Sequence, residues 1–158
     1  MPRQHIYIDS NILMFYFEKR KPRRDDRREN ARQSITHITR SLNENDEIKV
    51  IISQIVLGEL MMHSCNGKCD LEQIGELLRD LHVDGSNLPS VSFDALLCAQ
   101  EIHDSLRRIE PNDALLVSQA LKDPDTTWLL TTDKLLIGNP VIERKMEENH
   151  RFTIAYSY

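Results

Sequence analysis

The chain has no run of about 18 apolar residues, the length a membrane-spanning helix requires, so none is expected. It does not open on a basic stretch followed by a long apolar segment, which argues against a secretory leader. Cysteine is scarce. Cys65, Cys69 and Cys98 make an odd count, which excludes a fully paired disulfide framework and predicts a reducing, cytoplasmic setting. No internal repeat and no interdomain linker break the sequence, and no Ser–His–Asp or Cys–His grouping is suggested by position. One domain spanning residues 1–158 is therefore expected, large enough to bury a real core.

Charge is present but unevenly spread. The net charge of −5 does not itself point to a polyanion partner. Within residues 19–32, however, Lys19, Arg20, Lys21, Arg23, Arg24, Arg27, Arg28 and Arg32 stand against Asp25, Asp26 and Glu29. That segment carries +5, which leaves about −10 on the rest of the chain. A basic arm, at about 19–33, on an acidic body can bring a polyanion to a site that also gathers carboxylates. Charge runs are also often no more than solvated loops and helix starts.

Short β-like runs alternate with helical patterns, the signature of a parallel sheet covered by helices. Strands are predicted at 5–9, 50–53, 90–93, 128–132 and 151–156. Between them the apolar spacing is helical. Ala31, Ile35, Ile38 and Leu42 form one row, and Leu71, Ile74, Leu78 and Leu81 a second. A third runs Ala95, Ala99, Ile102, Leu106 and Ile109, and a shorter helix follows Pro111-Asn112 with Ala114, Val117 and Leu121 inward.

In open parallel sheets ligands bind beyond the carboxyl ends of the strands. Asp9 ends the first predicted strand, Asp133 follows the fourth, and Asp113 opens a helix aimed at the same edge. Glu59 lies one to two turns into the helix that leaves the second strand. Singly, Asp9, Asp113 and Asp133 are each well explained as helix caps. Glu59 is not, because it shares a helical row with Ile55 and Met62 and is expected to face apolar neighbours, where an unpartnered carboxylate is costly. Clustered carboxylates repel and raise one another's pKa. A hard divalent cation relieves this, and Mg²⁺ or Mn²⁺ suits an all-oxygen donor set.

The blocks around these acids resemble those of the PIN-domain ribonucleases. Ile6-Tyr7-Ile8-Asp9-Ser10-Asn11-Ile12-Leu13 looks like the opening strand and its Asp–Ser–Asn turn. Ser53-Gln54-Ile55-Val56-Leu57-Gly58-Glu59-Leu60 is similar to the second block, Pro111-Asn112-Asp113-Ala114-Leu115-Leu116 to the third, and Leu129-Leu130-Thr131-Thr132-Asp133-Lys134-Leu135-Leu136 to the fourth. The resemblance implies an α/β fold, a three-layer α/β/α sandwich on a parallel sheet of about five strands. It implies Mg²⁺- or Mn²⁺-dependent endonucleolytic cleavage of RNA, with Asp9, Glu59, Asp113 and Asp133 as catalytic metal ligands. Asn11, Thr131 and Ser10 match supporting polar positions, and Arg20, Arg23, Arg24, Arg27 and Arg28 of the arm would contact RNA. Stand-alone members of this length look like the toxins of prokaryotic toxin–antitoxin pairs, which are often dimers and meet a separate antitoxin chain.

Three other readings compete. His63, Cys65 and Cys69, with Cys98 or His103, could hold zinc, although their spacing is looser than a paired C-x₂-C motif. A haloacid-dehalogenase-type phosphatase also places Asp after strand one but needs a second Asp where Asn11 stands. A PIN-like module that binds RNA or a partner without cutting would normally have lost an acid, and all four remain.

Overall fold

The computed structural model describes residues 3–17 and 26–158. The first strand, β1 (Gln4–Ile8), carries Ile6, Tyr7 and Ile8, all buried. Neighbouring residues on a strand point to opposite faces, so a fully buried run requires cover on both faces of the sheet. β1 is central. It pairs in parallel with β2 (Ile48–Ile51) on one side and with β3 (Thr126–Leu130) on the other. β4 (Thr153–Ala155) pairs in parallel with β3, giving the order β2-β1-β3-β4. The fold class is the expected α/β, with helices covering a parallel sheet.

Among the described residues the sheet has four strands rather than about five. The run 90–93 is not a strand: Ser92 is the N-cap of α5 (Phe93–Ser105), and its hydroxyl accepts the Ala95 N–H at 3.1 Å. A serine that can satisfy free amides of a first turn favours the helix over a four-residue strand with no partner. Residues just upstream form a 3₁₀ turn (Gly85–Asn87), which meets the end of β2 through Ile52 N–H to the Asn87 carbonyl.

The helices follow the apolar rows, with two adjustments. In α2 (Arg27–Glu44), Ala31, Ile35, Ile38 and Leu42 are buried as predicted. In α4 (Leu71–Asp80) the inward row is Ile74 and Leu77, continued by Leu81, while Leu71 is exposed. α5 ends at Ser105, so Ile109 is buried from the following turn rather than from the helix. α1 (Ser10–Phe17) packs on α2 and α3 (Gln54–Cys65), and α6 (Pro111–Lys122) packs on α5 and α3. α3 ends at Asn66-Gly67, where Gly67 takes φ +68°, a conformation cheap only without a Cβ. α7 (Pro140–Glu148) begins on an Asn139 cap with proline in its first turn. Among the described residues no helix is long and apolar enough to cross a membrane.

Two contacts bear directly on the strand-end edge. The Ser53 hydroxyl caps α3 and donates to Gln119 on α6, tying together the helices that carry Glu59 and Asp113. The Asp9 amide donates to the Leu130 carbonyl at 2.9 Å, which sets the end of β1 beside the end of β3.

Candidate active site

Asp9 is buried to 1% exposure at the carboxyl end of β1. Its Oδ2 accepts the Thr131 hydroxyl at 2.7 Å, and the Ser10 hydroxyl lies 3.3 Å from its Oδ1. Burial pushes its pKa up, the negative charge of Glu59 adds to this, and the Thr131 and Ser10 hydrogen bonds oppose it.

Thr131 is fully buried one residue past β3 and faces two of the acids. While donating to Asp9 it accepts the Asp133 amide at 3.1 Å. Replacing it with valine, which keeps the shape and loses the hydroxyl, leaves Asp9 Oδ2 without its donor. Such a loss costs about 1–3 kcal/mol. Thermal unfolding should show a Tm lower by several degrees; a T131V protein melting with wild type would mean that this hydroxyl does not hold Asp9.

Glu59 corrects the sequence-based expectation of apolar surroundings. It is half-buried, and Met62 in its helical row is 65% exposed. Oε2 accepts the Ser10 hydroxyl at 2.6 Å, and Oε1 accepts Asn112 Nδ2 at 3.2 Å. Asp133 caps, although what it caps is the turn at 134–138 and not the expected helix: one carboxylate oxygen accepts the Leu135 amide at 2.8 Å. Asp113 does not. It stands in the first turn of α6, whose N-cap is Glu110, and among the described residues no hydrogen bond reaches its carboxylate. Its pKa is pushed up to about 7, first by burial and then by the charges of Asp9, Asp133, Glu59 and Glu110.

The fold thus brings Asp9, Glu59, Asp113 and Asp133 to one edge: Ser10 joins Asp9 to Glu59, Thr131 joins Asp9 to Asp133, Asp113 is tied to the others by charge alone, and no three of these carboxylates lie within 4.8 Å of one another. Asn11, on the first turn of α1, makes no hydrogen bond to any of them among the described residues. It lines an adjoining cavity of about 960 Å³ instead, with Met14, Phe15, Phe17, His63 and Lys68. Asn112 was missed by sequence reasoning, although it sits inside the Pro111-Asn112-Asp113 block.

The remaining candidates separate. Arg27 and Arg28 open α2, with the Arg27 guanidinium 5.0 Å from the Phe15 ring centre, while Arg20, Arg23 and Arg24 lie outside the described residues. His63, Cys65 and Cys69 do not form a zinc set. Among the described residues the one trio of His, Cys, Asp or Glu donors close enough to share an ion is His5, Asp123 and Asp125. That trio lies at the opposite end of the sheet, where the strands begin. There Asp123 already accepts from His5 at 2.6 Å and from Tyr7 at 3.1 Å, which pins the turn before β3 to β1.

The family model of the PIN domain matches residues 6–137, a span containing all four acids. The chain belongs to the PIN-domain family. PIN domains are typically nucleases, so the acidic edge is where the family's chemistry is to be sought. Among solved structures this PIN domain is similar to VapBC2 from Rickettsia felis bound to a DNA fragment from their promoter. The identity is 17%, the TM-score 0.52, and 96% of each chain is covered. At that identity the likeness speaks to fold. No curated protein matches the chain.

Proposed function

We propose that this PIN domain is a divalent-cation-dependent endoribonuclease acting at the edge formed by Asp9, Glu59, Asp113 and Asp133. The observation that carries the reading is Asp113, a half-buried carboxyl that accepts no hydrogen bond among the described residues and stands in the negative field of Asp9, Asp133, Glu59 and Glu110, which with burial pushes its pKa up to about 7. A cation relieves that repulsion, and an oxygen-only set fits Mg²⁺ or Mn²⁺. Asp9 and Asp113 would hold it, with Glu59 and Asp133 bound directly or through water. When bound, the cation supplies positive charge to a phosphodiester and acidifies a water. The chain's own residues do the positioning. Thr131 fixes Asp9, and Ser10 and Asn112 hold Glu59. The arginines of the arm (Arg20, Arg23, Arg24, Arg27, Arg28) would hold flanking phosphates, which makes binding weaken with salt.

The biological setting belongs to the same proposal: a cytoplasmic toxin countered by a separate antitoxin chain. The similarity to a VapBC2 structure supports it. A homodimer is supported by Phe93, Leu96 and Leu97, exposed together on one face of α5. Incubating the protein with end-labelled single-stranded RNA tests the activity. Cleavage with Mg²⁺ or Mn²⁺ and none with a chelator is the expected result. Binding without cleavage would place the chain among non-catalytic modules, and phosphate release from a small phosphoester would make it a phosphatase.

A further inference from the structure

We infer that Asn112 is a positioning residue that acts through Glu59, deciding where that carboxylate rests on the acidic edge. The inference depends on reading this edge as a cation site. Glu59 projects from the middle of α3 on three rotatable bonds, so nothing in its own helix fixes its carboxylate. Two neutral donors do so from outside α3. The Ser10 hydroxyl reaches Oε2 at 2.6 Å, and Asn112 Nδ2 reaches Oε1 at 3.2 Å.

The division of protons is informative. Ser10 has a single hydroxyl proton, and the shorter contact sends it to Glu59 rather than to Asp9 Oδ1, 3.3 Å away. Asp9 is held instead by the Thr131 hydroxyl on Oδ2 and by the Ser10 backbone N–H. Each Glu59 oxygen accepts one hydrogen bond, which leaves lone-pair capacity on both for a cation or its water. Because both donors are uncharged, they orient the carboxylate without neutralising it, as Lys or Arg would. Ser10 is buried and belongs to the turn that carries Asp9, so it cannot be removed without disturbing that acid. Asn112 is exposed, and its bond is the one that keeps Oε1 from turning to solvent.

The test is Mn²⁺ binding without RNA, by calorimetry and by electron paramagnetic resonance, on wild type, N112A, E59A, the double variant of these two, and D9N. Partners that orient metal ligands from outside the coordination shell are worth roughly 10–100-fold in affinity. With its long, exposed bond Asn112 falls at the low end, so N112A should bind Mn²⁺ about tenfold more weakly. Its melting temperature should match wild type, and RNA cleavage should lose kcat with little change in KM. In the E59A background, N112A should have no further effect, since the two act as one unit. Wild-type Mn²⁺ affinity in N112A, or additive losses in the double variant, overturns the positioning role. If Mn²⁺ binding is instead indifferent to D9N, the cation site itself fails, a different result.

Discussion

Asp9→Asn should lower metal-dependent RNA cleavage by at least about a hundredfold, the upper end of what removing a mere supporting partner costs. The fold should survive. An amide oxygen can still accept the Thr131 hydroxyl that now bonds Asp9 Oδ2, so the buried side chain keeps its main contact. The backbone hydrogen bonds of Asp9 to Leu130 and Ile12 do not involve the side chain at all. What is lost is a full negative charge at the most buried of the four acids and a good oxygen ligand with it. The substitution also removes the largest charge contribution to the raised pKa of Asp113, so that group should titrate lower in the variant. Circular dichroism and the rate of cleavage of labelled RNA give the two readouts. Undiminished cleavage with an intact fold would remove Asp9 from the mechanism.

How much of this was legible in the sequence depends on whether the deciding interaction is local. Asp9 after Ile6-Tyr7-Ile8 and Pro111 at the first position of α6 are local signals, and the structure ends β1 and starts α6 there, whereas Ser53, expected to close the second strand, caps α3 and leaves β2 to end at Ile51. The row Ala31, Ile35, Ile38, Leu42 is equally local, because period alone defines its inner face. The segment 90–93 shows the limit: its alternation suits a short strand, yet Ser92 suits an N-cap, and only the missing strand partner separates the two. α7 had its signal in Asn139-Pro140, but a nine-residue helix with only Ile142 and Met146 buried leaves a thin apolar row. Glu59 is the non-local case. Its row within α3 is apolar, and its polar partners come from α1 and α6, so their identity required the packing of three helices. For the same reason the helix-cap reading could be settled only in three dimensions, where Asp133 caps a turn at 134–138 with no helix behind it and Asp113 stands inside the first turn of α6, whose N-cap is Glu110.

The state of Asp113 leads to the other large expectation, an inverted pH dependence of stability in the absence of metal. In the folded chain this carboxyl titrates near 7, against an ordinary value of 3.8. Between those values the native state binds more protons than the unfolded state, so stability must fall as pH rises through that window. The raised pKa of Asp9 acts in the same direction. In chelator, Tm should therefore drop by several degrees from about pH 5 to about pH 8, the reverse of what salt-bridged carboxylates produce. Saturating Mn²⁺ should remove most of the slope by compensating the ionised acids. At a concentration 100 times its dissociation constant, a ligand specific to the native state adds about 2.7 kcal/mol. For a domain of this size that corresponds to roughly 5–10 °C. Asp113→Asn should flatten the chelator curve without metal, since an amide has no proton to lose, and should lose most of the response to Mn²⁺. Differential scanning calorimetry across this range checks each arm. A wild-type Tm in chelator that is flat or rises toward pH 8 would mean that the four acids do not crowd one another, and the case for a cation at this edge would fall with it.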